Sequence, residues 1–179
     1  MGRAGDSNCV PRCADAPTRD QAVIWAGIYI ALACLAPVAY IAMMVKLGYI
    51  TDIHIKVRQQ RILPFLVSMG CTAVAWYVLR VMDAPPLTPS FALFSLIQLA
   101  IMALITLVWQ ISIHAVSISG AAVAIGALFG VIPALLALPL VALVGAARLK
   151  LRRHTLAQVI AGMLVGMILP AAFFLVALN

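Results

Sequence analysis

Long apolar runs constrain the fold of this chain more than any other feature. Of its 179 residues, 65% are hydrophobic, only 9% are charged, and none is glutamate. A soluble domain carries roughly 25% charged residues. Several of the apolar runs exceed the ~18 residues that a membrane-spanning helix needs. The sequence therefore predicts an all-α, polytopic membrane protein and excludes a soluble enzyme or a nucleic-acid-binding domain.

The runs divide into six predicted helices, which would form a six-transmembrane-helix bundle. Three prolines between residues 83 and 90 exclude a helix that continues from the second run into the third. Pro133 and Pro139 favour a break in the apolar stretch 115–147, which is too long for one span. The predicted helices are Val23–Met44, Ile62–Leu79, Phe91–Ile111, Ala115–Val131, Pro133–Ala147 and Thr155–Leu178.

The predicted organisation is a polar N-terminal tail, residues 1–21, followed by one membrane domain, residues 22–179. Cys9 and Cys13 in the tail do not have the spacing of a zinc site, so no metal and no cofactor is expected. Two small-xxx-small patterns, Gly126-x3-Gly130 and Gly162-x3-Gly166, predict close helix contacts.

Charge is distributed very unequally between the two membrane faces of the predicted bundle. With six spans, the first, third and fifth loops share one face, and together they hold the whole net charge of +7 and all three histidines. The densest part is the segment Arg148–His154, with four cations and a histidine. The positive-inside rule explains such a bias as a topology signal alone. That rule does not account for the histidines, or for Ser112 and His114 in an otherwise apolar turn.

Two histidines beside cations and a hydroxyl suit phosphoryl transfer. Arginine and lysine neutralise a phosphate, one imidazole attacks phosphorus, and a second imidazole protonates the leaving oxygen. A site that only binds phosphate needs no histidine pair. This pattern therefore favours a phosphatase over a simple anion site.

The same residues resemble the type-2 phosphatidic-acid phosphatase family, whose fold core is shared with vanadium haloperoxidases. That family carries Lys-x6-Arg-Pro, Pro-Ser-Gly-His and Ser-Arg-x5-His-x3-Asp. Here Arg148-x5-His154-x3-Gln158 matches the spacing of the third motif, and Ser112-x-His114 matches that of the second. The segment 52–64 occupies the place of the first motif.

The resemblance implies a role for each residue in a metal-independent phosphatase. His154 would be the nucleophile that forms a phosphohistidine, and His114 the general acid. Gln158 would orient His154. The residues that would bind phosphoryl oxygens are Arg148, Ser112 and Arg61 with either Lys56 or Arg58. The substrate would be a lipid phosphate or diphosphate, either isoprenoid or glycerophospholipid.

Departures from the family pattern keep two other functions open. Gln158 replaces an aspartate, and Ile113 replaces a glycine. Both changes favour a non-catalytic protein that binds or transports a lipid phosphate. A transferase that passes the phosphoryl or lipid group to an acceptor other than water is the third alternative.

The expected location is the cytoplasmic membrane, with membrane lipids as partners. The charge rule favours a cytoplasmic site, whereas many proteins of the resembled family work on the outer face. Both orientations stay open, and the sequence predicts no particular oligomeric state.

Overall fold

The computed structural model describes residues 18–49 and 62–178. Nearly all of these residues are helical and none of them forms a strand, which confirms the predicted all-α fold. The described helices are α1 (Arg19–Lys46), α2 (Ile62–Val81), α3 (Leu87–Val108), α4 (Ile113–Phe129), α5 (Val131–Lys150) and α6 (Leu156–Ala177).

Five of these helices are long and apolar enough to cross a membrane, so the chain is a multi-pass membrane protein. The exception is α4, whose 17 residues reach about 25 Å at 1.5 Å per residue. The hydrocarbon core of a bilayer is about 30 Å thick. The α4 helix is therefore shorter than the other five, and its crossing of the membrane stays a prediction. Large apolar side chains cover the outward surface of the described helices, as contact with lipid tails requires.

A π-helical turn interrupts α1 at Ile30–Leu35. Pro37 follows directly, and its ring has no N–H to donate and crowds the carbonyl of the preceding turn. The wider turn resolves this conflict, because the Ala36 N–H bonds the Ala31 carbonyl, five residues back. The helix thereby continues through the proline although Pro37 itself donates no backbone bond.

The break between α4 and α5 lies at Gly130, two residues before the predicted break between Val131 and Pro133. Gly130 has a φ of 94°, in the region that favours glycine, and it ends α4. Pro133 lies in the first turn of α5, where its missing N–H costs no hydrogen bond. Pro139 lies inside α5 and does not end it. The prediction of two helices was right, but the prolines do not mark the boundary.

The helices pack as two groups of three, α1–α3 and α4–α6. Within the second group α4 is central and packs most extensively against α6. Contacts between α3 and α6 join the two groups. One apolar cluster, formed by Phe65, Met102, Ile111 and Val116, lies where the α3–α4 connection meets the start of α6. This cluster supports the segment that carries Ser112.

Candidate functional site

Ser112 fixes the α3–α4 connection to the start of α6. Its backbone N–H donates to the Gln158 carbonyl oxygen at 3.2 Å. Its hydroxyl oxygen accepts from the Ala115 N–H at 3.4 Å and thereby caps α4. The residue is fully buried. The start of α4 and the first turn of α6 are thus in direct contact.

Gly162 makes this close approach possible. A Cβ atom at this position would lie 2.7 Å from the Ser112 carbonyl oxygen and 3.1 Å from the Ala115 Cβ. One turn further along α6, a Cβ atom at Gly166 would overlap the backbone of Val116. Both glycines of the predicted Gly162-x3-Gly166 pattern therefore lie at a backbone contact between α4 and α6.

His154 and Gln158 are hydrogen-bonded, as the sequence spacing predicts. The His154 Nδ1 lies 3.3 Å from the Gln158 Oε1. The same oxygen accepts from the Thr155 N–H at 3.0 Å, and the Thr155 hydroxyl accepts from the Gln158 N–H at 3.4 Å. These reciprocal bonds form a capping box at the start of α6.

The capping box also sets the tautomer of His154. A backbone N–H can only donate, so the side-chain atom of Gln158 that faces Thr155 must be the amide oxygen. That oxygen can only accept, so a hydrogen bond between it and His154 requires the proton on Nδ1. The neutral imidazole that makes this bond has its lone pair on Nε2. A nucleophilic role requires a nitrogen with such a lone pair.

Arg148 brings an unsatisfied cationic group to the same end of the bundle. It lies in the last turn of α5 and is half-buried. Its Nε is buried, and the described residues offer it no hydrogen-bond partner. Its carbonyl oxygen accepts from the Arg153 N–H at 3.2 Å, which folds the basic segment back towards α5. A buried donor without a partner costs about 1–3 kcal/mol, and an anion would remove that cost.

No acidic side chain of the described residues opposes these cations. The described acidic residues are Asp20 and Asp83, and both lie at the opposite end of the helices. The described residues therefore give the Arg148–His154 segment a net positive charge, which favours binding of an anion.

His114 is the second residue of α4 and is exposed. It follows Ser112 by two residues, and Ser112 is bonded to Gln158. The two histidines therefore lie at the same end of the α4–α6 pair. Their joint action on one phosphate stays a prediction.

Three of the predicted phosphate ligands, Lys56, Arg58 and Arg61, lie outside the described residues. Ser112 has an observed role as a helix cap, and its predicted contact with a phosphoryl oxygen stays a prediction. Such a contact would require the buried hydroxyl to be uncovered.

Sequence reasoning overlooked Thr155. The signal was present, because Thr155-x-x-Gln158 before an apolar run is the pattern of a capping box. Thr18-x-x-Gln21 at the start of α1 forms a second box of the same kind. Thr155 matters for the site because it determines which atom of Gln158 faces His154.

No protein-family model matches the chain, and comparisons with curated proteins and with solved structures gave no match.

Proposed function

We propose that this chain is a phosphatase of the type-2 phosphatidic-acid phosphatase kind, acting on a lipid phosphate or diphosphate in the cytoplasmic membrane. The observation that carries the proposal is the bond between His154 Nδ1 and Gln158 Oε1 at 3.3 Å. It orients the imidazole and leaves the lone pair on Nε2. The apolar helix surfaces around the site suit a substrate with a lipid tail.

In the proposed reaction, the lone pair of His154 Nε2 attacks phosphorus, and the bond to the leaving oxygen breaks. The leaving oxygen takes a proton from His114. Water then attacks the phosphohistidine, His114 accepts a proton from that water, and the phosphorus–nitrogen bond breaks. Inorganic phosphate is released, and both histidines return to their starting states.

Cations bind the phosphoryl oxygens in this proposal. The unsatisfied Nε of Arg148 supports its assignment, because a guanidinium donates to phosphate in a fixed geometry. Arg61, with Lys56 or Arg58, completes the set.

Phosphate release from phosphatidic acid and from a prenyl diphosphate, by protein purified in detergent, tests the activity. We expect His154→Gln to lower the rate at least 10³-fold, since removal of a nucleophile leaves only the contribution of binding. His54→Gln is the matched control, because the sequence predicts His54 on the same face and gives it no role. An acid-labile phosphoryl group on His154 should be trapped in the active protein. Full activity in His154→Gln would contradict the mechanism.

One observation favours binding without turnover as the second candidate. Gln158 is neutral, and its oxygen is shared with the Thr155 N–H, which is the closer donor at 3.0 Å. A neutral, shared acceptor stabilises an imidazolium less than a carboxylate would. Saturable binding of a prenyl phosphate with neither phosphate release nor a trapped phosphohistidine would favour this candidate.

A further inference from the structure

We propose a second lipid site at the opposite end of the bundle, where a groove between α2 and α3 binds the headgroup of an anionic membrane phospholipid. The groove has a volume of about 210 Å³ and is lined by Trp76, Arg80, Pro89, Ser90 and Leu93. Its size suits a headgroup and the first part of an acyl chain, since sites for whole drug-sized ligands span about 300–1,000 Å³.

On both helices, the polar side chain of the lining lies nearer the end of the bundle and the apolar side chain lies deeper. On α2, Arg80 lies one turn closer to the helix end than Trp76. On α3, Ser90 lies about one turn closer to the helix start than Leu93. The end of α2 and the start of α3 meet at the same face. The groove is therefore polar towards water and apolar towards hydrocarbon, as a phospholipid is.

Arg80 gives the groove its preference for negative charge. Its carbonyl oxygen accepts from the Asp83 N–H at 3.3 Å, whereas none of the described residues bonds to its guanidinium. Asp83 does not line the groove; it lies in the following turn with a φ of 52° and is exposed. The lining thus holds one cation and no carboxylate. Arginine also donates several hydrogen bonds to a phosphate in a fixed geometry.

Trp76 supplies the interfacial part of the site. Tryptophan concentrates at the membrane–water boundary, where its ring contacts both headgroups and acyl chains. The ring is half-buried against the apolar cluster of Leu79, Ala84 and Ala92. Because Trp76 lines the groove, its fluorescence reports on the lipid that occupies it.

The test uses a protein with Trp76 as its single tryptophan (Trp25→Phe with Trp109→Phe), reconstituted in vesicles. Brominated phosphatidylglycerol or brominated phosphatidylcholine, each at the same mole fraction, quenches the fluorescence. One basic residue near the surface gives about a fivefold preference for an anionic lipid. We therefore expect phosphatidylglycerol to occupy the site about five times more readily. Arg80→Gln should remove the preference, and Arg19→Gln, which alters a cation of the same face, should leave it.

Equal quenching by the two lipids in the single-tryptophan protein that keeps Arg80 would overturn the proposal. A preference for phosphatidylglycerol that survives Arg80→Gln would overturn it as well. The protein with all three tryptophans provides a check that does not depend on the tryptophan replacements. In native mass spectrometry it should retain bound phosphatidylglycerol, and Arg80→Gln should lose at least one lipid that Arg19→Gln keeps. Equal lipid retention by the two variants would also overturn it.

Discussion

At the scale of single residues, Gln158 makes several hydrogen bonds at the candidate site. Its backbone carbonyl oxygen accepts from the Ser112 N–H, and its side-chain Oε1 bonds the Thr155 N–H and His154 Nδ1. One residue thereby caps α6, bonds the imidazole of His154 and, through its backbone, holds the start of α4. An amide side chain suffices for the first two tasks. Only the stabilisation of an imidazolium would benefit from a carboxylate.

We expect Gln158→Glu to raise the rate of phosphate release. Glutamate keeps the capping box, because a Glu side chain at this position accepts from the Thr155 N–H as Gln does. It also changes a neutral bond to His154 into a charge-assisted one, which is stronger by about 1 kcal/mol and corresponds to roughly a fivefold faster step. Initial rates with phosphatidic acid, measured beside Gln158→Leu, provide the test. Gln158→Leu should be slower than the natural protein, and a slower rate in Gln158→Glu would contradict this role.

At the scale of helices, two similar glycine patterns have different structural roles. Gly162 and Gly166 allow backbone contact between α4 and α6. In the other pattern, a Cβ atom added at Gly126 would lie 3.1 Å from the Ala134 Cβ of α5, but Gly130 has open space around it and a φ of 94°. Gly130 serves a helix break, not a helix contact. Spacing alone does not distinguish the two roles, since it says nothing about backbone dihedrals.

We expect Gly166→Ala to destabilise the protein by about 1–3 kcal/mol, because the added methyl group would overlap backbone atoms that cannot move aside. This corresponds to a fall in Tm of roughly 2–12 °C in detergent. Gly70→Ala is the matched control. It lies within α2 with no atom within 4 Å of the added Cβ. It should leave the Tm unchanged or raise it slightly, since alanine favours helix. Equal Tm values for the two variants would contradict the close contact of α4 and α6.

At the scale of the whole molecule, charge and contacts divide between the two ends of the helices. One end holds Ser112, His154 and the basic segment, and the other holds the groove at Arg80. The described cations at the first end are Lys46, Arg148, Lys150, Arg152 and Arg153. Whether the two ends lie on opposite sides of the membrane depends on α4, which is the shortest of the described helices.

Six crossings place the start of α1 and the end of α6 on the same side. We expect an impermeant thiol reagent to reach Cys9 and a Leu178→Cys variant from one side of the membrane, and an Arg152→Cys variant from the other. The two single-cysteine variants require replacement of the natural cysteines, and size-exclusion profiles check their fold. Labelling of Leu178→Cys and Arg152→Cys from the same side would contradict the six-span topology. The side that labels Cys9 also decides which face carries the candidate site.

The sequence by itself determined the fold class, the number of helices and most of their boundaries. In a membrane, the backbone N–H and C=O groups of each segment must form hydrogen bonds within that segment. The length of an apolar run and the turn residues beside it therefore predict a helix. It also determined the bond between His154 and Gln158, because residues four apart at the start of a helix lie about one turn from each other.

The tertiary structure decided that Ser112 meets Gln158, because that contact depends on α4 reaching α6 at Gly162. It also decided that Arg148 Nε stays unsatisfied and that a groove opens beside Arg80. Such contacts join segments that are distant in the chain, and residue spacing carries no information about the distance between them.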